Sequence, residues 1–261
     1  CSAELGYPTW ERLINDMLVA LTPGLQLPNN DVKIAAQVIK DECVKRHKDT
    51  RPYERFLQDY FAPKKLAYSD FHCDLVKLGF AGYTTTNYDP VLESALIAAF
   101  ADVHVGCETV NMCTEDTRHR VLDFFRELST GNRIRHRVLH LHWSYDRPQS
   151  ILLTQNDYMK FYNGAVLKED GSWKSPDIPD SFHRKAIWSL LATRPMVFVG
   201  FSLKDPFFAD VIGVWRKDFD LRLEQPHVAI MDYCASEALS EKNERLAGLG
   251  IIPVYYETPV T

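Results

Sequence analysis

Two stretches of this chain carry a short apolar run into a polar turn and then into a capped, amphipathic helix. That repeated order confines the chain to folds in which buried strands alternate with helices. In the first stretch, Gly79 to Tyr83 leads into Thr85-Thr86-Asn87-Tyr88-Asp89. Asp89 is expected to cap the following helix and Pro90 to occupy its first turn, because Val91, Leu92, Ala95, Leu96 and Ala99 recur on one face at helical spacing. In the second, Met196-Val197-Phe198-Val199 lies between Pro195 and Gly200 and reads as a strand buried on both faces of a parallel sheet. Gly200-Phe201-Ser202 then leads to Asp205-Pro206, again a cap and first turn, with Phe207, Phe208, Val211, Ile212 and Trp215 at helical spacing. Both turns belong at the carboxyl ends of strands, the edge at which open α/β sheets bind ligands. A glycine there lets the backbone approach a ligand closely, and a neighbouring serine supplies a hydroxyl.

Length and composition agree with one α/β domain over residues 1–261, with 46% hydrophobic and 25% charged residues. A formal charge of -5 argues against nonspecific nucleic-acid binding, which depends on clustered basic charge. The basic run Arg133-Ile134-Arg135-His136-Arg137 is short and reads as a solvated loop or strand entry. No apolar stretch approaches the length of a membrane span and no secretory signal is present, so the expected location is cytoplasmic. The six cysteines, Cys1, Cys43, Cys73, Cys107, Cys113 and Cys234, are scattered and form no CxxC, which argues against a disulfide framework. Cys107 and Cys113 with His104 match no common zinc spacing.

Along the chain, Thr9 is expected to cap a helix whose apolar stripe is Trp10, Leu13, Ile14, Met17, Leu18 and Leu21. Further helices are predicted over Asp31 to Lys48, Tyr53 to Phe61 and Leu66 to Leu78, and strands over Val103 to Thr109 and Arg137 to His142. Val121 to Leu128 is readable either way. Thr154 and Asp157 have capping-box spacing, with Asp in place of the usual Glu. Residues 164–180 form the longest irregular stretch, an insertion or lid. A helix over His183 to Leu191 follows, and the last strands, Pro226 to Met231 and Gly250 to Tyr256, flank a polar helix over Ser236 to Leu246. In Leu139-His140-Leu141-His142-Trp143-Ser144, read as a strand, the two imidazoles share a face. They are a metal pair lacking an identifiable third ligand, or ordinary hydrogen-bonded side chains. Ser144 and Ser202 lie in no nucleophile-elbow pattern and read as hydrogen-bonding groups.

These residues resemble a known family. Thr85-Thr86-Asn87-Tyr88-Asp89 is similar to the Thr-Gln-Asn-x-Asp element of sirtuins, and closer to the Thr-Thr-Asn-Tyr-Asp form in sirtuin-like domains of bacterial anti-phage defence proteins. Leu141-His142-Trp143-Ser144 resembles their Leu-His-Gly-Ser, and Gly200-Phe201-Ser202-Leu203 stands where sirtuins have Gly-Thr-Ser-Leu. Ile151 to Tyr158 resembles a further stretch of the defence subgroup, and Cys1 to Trp10 the segment just after the family's Gly-Ala-Gly.

The resemblance implies a Rossmann-like, mostly parallel sheet with helices on both faces and helical insertions, its first strand and glycine loop expected before Cys1. It implies NAD+ as substrate, no metal, catalytic roles for Asn87 and His142, and binding roles for Ser2, Thr85, Thr86, Asp89, Ser144, Gly200, Phe201 and Ser202. Asn87 suits the positioning of ribose and water because its amide donates and accepts without changing charge. His142 suits the base, since an imidazole titrates near neutrality. The implied reaction is hydrolysis of NAD+ to nicotinamide and ADP-ribose, as the NAD-depleting effector of a defence system. A homo-oligomer is implied, with a further domain or partner such as a helicase, nuclease or sensor supplying the trigger. Trp143 departs from the family's glycine, which implies a narrowed pocket, and the paired CxxC zinc ribbon of protein-deacylating sirtuins has no counterpart. Two alternatives stay open: an NAD-dependent deacylase or ADP-ribosyltransferase, and a non-hydrolysing NAD or ADP-ribose sensor.

Overall fold

Local capping starts most helices of the computed structural model where the sequence places them. The structure describes residues 2–28, 31–103, 106–112, 118–130, 136–164, 166–168, 173–174, 181–219, 227–233 and 239–256. Cys1, His104, Cys113, Cys234, residues 133–135 of the basic run and most of the expected 164–180 insertion lie outside them. The chain divides into two compact units, 1–160 and 161–261, which are described in turn.

The first unit opens with a helical layer, α1 (Trp10–Leu21), α2 (Val32–His47) and α3 (Arg51–Phe61). Thr9 accepts the Arg12 amide, and Asp31 accepts the amides of Lys33 and Ile34 at 2.9 and 3.1 Å, satisfying donors that a helix start leaves open. Met17, Ile39 and Leu57, one from each helix, are fully buried in a cluster that also takes in Tyr88, Val91, Ile151 and Leu153. Helix α4 (Asp70–Lys77) starts later than the expected Leu66, because Ser69 and His72 cap it reciprocally.

Three parallel strands follow: β1 (Tyr83–Thr85), β2 (Cys107–Asn111) and β3 (His136–His140), in the order β1-β3-β2. Helix α5 (Val91–Ala99) joins β1 to β2, and α6 (Arg118–Thr130) joins β2 to β3, which resolves the ambiguous Val121 to Leu128 segment as helix. The chain passes over the place of β3 and then returns to fill it. With right-handed crossovers, that reversal puts α5 and α6 on opposite faces of the sheet. Tyr83 and Val138 pack with Ala95 and Leu96 of α5, whereas a Cβ on Gly82 would come within 2.4 Å of Leu128 on α6. Helix α7 (Gln155–Asn163) then starts on the expected box: the Thr154 amide and hydroxyl both donate to Asp157, and the Asp157 amide donates to the Thr154 hydroxyl.

In the second unit, β4 (Val166–Leu167) and β5 (Trp173–Lys174) form a short antiparallel pair. Helix α8 (Phe182–Thr193) leads to β6 (Val197–Val199), α9 (Pro206–Asp218), β7 (His227–Asp232), α10 (Leu239–Gly248) and β8 (Ile251–Tyr256). The strands pair in parallel as β6-β7-β8. Asp205 accepts the amides of Phe207 and Phe208, with Pro206 at the first helical position, as expected. The expectation that β6 is buried on both faces needs correction. Phe198 is buried against Phe208 at a ring distance of 6.1 Å, but Val197 is 38% exposed, and Ile252, Val254 and Tyr256 are exposed on the same face of the sheet. Apolar composition alone could not tell a strand covered on both sides from one covered on one side.

Both units are thus α/β, with parallel sheets flanked by helices. Among the described residues no helix is long and apolar enough to cross a membrane. Asp205→Ala, which removes the acceptor of two amides, is expected to lower unfolding stability by about 1 kcal/mol. Chemical denaturation followed by circular dichroism checks this, and an unchanged midpoint would contradict the capping role.

Candidate functional site

The carboxyl ends of the three strands in the first unit are level. Thr85, His140 and Asn111 stand on one rung of the sheet, and the ladder closes with Leu141 N–H on Thr85 O at 2.8 Å and Met112 N–H on His140 O at 2.9 Å. Residues that leave this rung gather at one edge, where parallel sheets place their sites.

Asn87 follows β1 by two residues and its side chain is exposed. Its amide donates to Thr85 Oγ1 at 3.0 Å, a local turn of the kind that short Ser, Thr, Asn or Asp side chains make. Its Nδ2 donates to Ser2 Oγ at 3.1 Å, and Ser2 Oγ donates to Asp89 Oδ1 at 3.2 Å. Three of the expected residues, from stretches more than 80 positions apart, therefore form one chain of hydrogen bonds. Ser2 belongs to a 3-10 turn (Ser2–Leu5) and is buried, as is Asp89. Asp89 Oδ1 also accepts the Val91 amide at 3.2 Å. Helix α5 begins one residue later than expected, so Pro90 is the cap position and Asp89 caps from just outside it. Burial pushes the Asp89 carboxyl up, and the Val91 amide, the His140 charge and the Ser2 hydroxyl oppose that only in part.

The two histidines separate. Strand β3 ends at His140, so side-chain alternation does not carry on to His142. His140 is fully buried, with Nδ1 2.9 Å from the Asn87 carbonyl oxygen and Nε2 2.8 Å from Glu93 Oε1. Glu93 Oε1 also accepts the Thr109 hydroxyl at 2.7 Å. Burial pulls the His140 ring down and pushes the Glu93 carboxyl up, yet each charge outweighs that for its partner. His140 lies above its ordinary value and Glu93 below. His142 lies in the turn after β3, 3% exposed, its ring edge-on to Tyr158 at 5.6 Å and its carbonyl accepting the Leu152 amide at 3.1 Å. Both ring nitrogens of His140 thus face protein acceptors.

Trp143 has φ +64°, the left-handed region in which a bulky side chain is strained, and its indole is 1% exposed. The next residue is held firmly: the Ser144 amide donates to Asn111 Oδ1 at 2.7 Å, and the Ser144 hydroxyl to Asp146. Thr86 is half-buried between Thr85 and Asn87. In the second unit, Gly200 at φ +64° and Leu203 at φ +56° bend the turn after β6. The Phe201 ring packs edge-on to Phe208 at 5.2 Å, while Ser202 is exposed, its hydroxyl accepting the Lys204 amide at 3.3 Å.

Sequence reasoning missed Glu93, Thr109 and Asn111, the polar residues behind the site. The available signal was a Glu on the apolar face of α5 and polar residues at the inward positions of β2. Among the described residues no group of three or more His, Cys, Asp or Glu side chains comes together to hold a metal ion.

Residues 81–254 match the model of the family described as a SIR2-like domain. The chain is 25% identical over 235 residues to the NAD(+) hydrolase ThsA of Enterococcus faecium, covering 88% of this chain and 41% of that protein. It is 27% identical over 246 residues to the NAD(+) hydrolase ThsA of Bacillus cereus (strain MSX-D12), covering 94% of this chain and 42% of that protein. The chain thus spans about two fifths of the length of these relatives.

The Glu93–His140 pair makes stability depend on pH. The His140 contribution is fully present below the ordinary imidazole value of 6.5 and is lost as pH rises through its raised folded value. The Glu93 contribution is present above the ordinary 4.5 and is lost as pH falls through its lowered folded value. Both operate together between those two ordinary values. Thermal unfolding followed from pH 4 to 9 is expected to show a plateau there, and Glu93→Gln is expected to lower it and flatten both flanks. Parallel wild-type and variant profiles would rule out the coupling.

Proposed function

From the chain's membership of the SIR2-like family we propose that the site at the carboxyl edge of β1 and β3 hydrolyses NAD+ to nicotinamide and ADP-ribose. The observation that carries this reading is the exposed Asn87 carboxamide, held through Ser2 to Asp89 at the end of a parallel strand. The names of the two relatives, which the chain covers only in part, support the same substrate.

In the proposed reaction the bond between ribose C1′ and the nicotinamide nitrogen breaks, and its electron pair neutralises the pyridinium. Water oxygen bonds to C1′ and gives up a proton. The transition state resembles an oxocarbenium ion, so little covalent work falls to the protein; what it must do is orient ribose and water. Asn87, tethered by its nitrogen, presents its amide oxygen to a ribose hydroxyl or to the water. His142 takes the proton. Asp89, buried and close to Asn87, holds the nicotinamide carboxamide while it continues to cap α5, with Ser2, Thr85 and Ser144 as nearby polar support. We further propose, from the sequence resemblance, that this activity depletes NAD+ in bacterial anti-phage defence, in a homo-oligomer triggered by an additional domain or partner.

Asn87→Ala is expected to slow nicotinamide release from NAD+ by about 100- to 1,000-fold, as for removal of one preorganised polar group. His142→Ala is expected to slow it by about 100- to 10,000-fold, the range of a lost general base. Chromatography of the full-length protein's reaction mixture measures both. Wild-type turnover by Asn87→Ala would falsify the assigned chemistry, and release that depends on an added acyl-lysine peptide would replace hydrolysis with deacylation.

A further inference from the structure

The hydrolase reading gives Asn87 its work but leaves unexplained a buried charged pair behind it that touches no surface. His140 is fully buried and Glu93 nearly so, on adjacent elements, β3 and α5. Both ring nitrogens of His140 face acceptors, the Asn87 carbonyl oxygen at 2.9 Å and Glu93 Oε1 at 2.8 Å. A neutral imidazole has one N–H and would set a lone pair against one of those oxygens. The imidazolium has two N–H groups and satisfies both. The Thr109 hydroxyl donates to the same carboxylate oxygen, Oε1, at 2.7 Å.

We propose that Glu93 and His140 are a positioning pair for the reaction: Glu93 keeps His140 doubly protonated, and His140 holds the main chain of residue 87 so that its carboxamide meets the sugar. This rests on the hydrolase reading for its consequence in turnover. The carbonyl of residue 87 is clamped by Nδ1–H and its amide by Thr85 Oγ1 at 3.0 Å, so both peptide groups of the residue are fixed from below. Neither member of the pair touches substrate.

The charges that bear on the ring come from two elements, Glu93 on α5 and Asp89 in the turn before it. On β2, burial and then Glu93 push the Cys107 thiol up to about 12. Beyond β3, burial, Asp146 and Glu93 push Tyr145 up as well. Both therefore remain neutral through the neutral range, and after burial, which lowers the ring, Glu93 is the largest influence on it.

The test combines kinetics with the ring's own titration, using the full-length protein. Nitrogen-15 spectra of labelled histidine are expected to show both His140 ring nitrogens protonated at pH 7.5. In Glu93→Gln, of nearly the same size, one proton is expected to be lost at that pH. Its kcat for nicotinamide release is expected to fall about 10- to 100-fold with KM changed less than about threefold, as for a reacting group displaced by a fraction of an ångström. The alkaline limb of its kcat profile should move to lower pH together with the ring titration, and Glu93→Asp should restore most of both. A merely structural role would reduce folded protein and leave the limb in place. A folded Glu93→Gln with wild-type kcat and an unmoved limb overturns the proposal, as does a singly protonated His140 at pH 7.5 in the wild type. If the wild type releases no nicotinamide, the hydrolase reading fails on its own. The pair is then judged by the Tyr88 amide, which shares a peptide plane with the Asn87 carbonyl: a resonance that follows the His140 titration upholds the clamp, and one that stays fixed overturns it.

Discussion

At the last rung of the first sheet an imidazole with no solvent exposure joins three things: strand β3, the helix that carries Glu93, and the turn that carries Asn87. Taking both charges out of water is costly, and their attraction offsets that cost only when the geometry and the remaining hydrogen bonds are good. Here Thr109 and the Asn87 carbonyl supply two such bonds, while Glu93 Oε2 is buried with no hydrogen-bond partner among the described residues. Removing one partner from such a pair typically costs about 3–5 kcal/mol, because the other is left buried and uncompensated. The pair is therefore weak as a source of net stability and strong as a constraint on where the turn can go. The register of the sheet depends on it too, since a shift of one residue in β3 would carry His140 to the face covered by α6.

How far the sequence reveals this arrangement follows from the range of each interaction. Contacts within a few residues are legible: the Asp205–Pro206 start of α9, the Thr154–Asp157 box of α7 and the Thr9 cap of α1 stand as expected. So do the two strand-turn-helix units and the placement of Asn87 at a strand's carboxyl end. Interactions across the sheet are not legible. Glu93 lies on the buried side of α5, which marks it as unusual, but nothing local discloses that a histidine on β3 is its partner. The end of β3 at His140 was likewise hidden, because Leu141 and His142 continue the alternation after the chain has turned. The tether between Ser2 and Asn87 joins residues too far apart in the chain for spacing to suggest it.

Trp143 shows one rule of backbone conformation yielding to packing. The left-handed conformation favours glycine, and holding a bulky residue there costs on the order of 1–3 kcal/mol. The indole is almost wholly buried, and burying so large a side chain contributes about 3–5 kcal/mol, judged by the cost of truncating one. Burial exceeds strain, so the tryptophan is tolerated and the turn keeps its shape. The Asn111 side chain, bonded to the next amide, holds the peptide in place.

Residue 87 is gripped by its peptide groups, the amide by a hydroxyl and the carbonyl by an imidazole, while its side chain takes part in neither hold. The turn's path is thus independent of what the α-carbon bears. A different side chain there would face the same surroundings from the same origin, so reactivity can be exchanged at this position without rebuilding the fold beneath it, and ligand capture can outlast the loss of turnover.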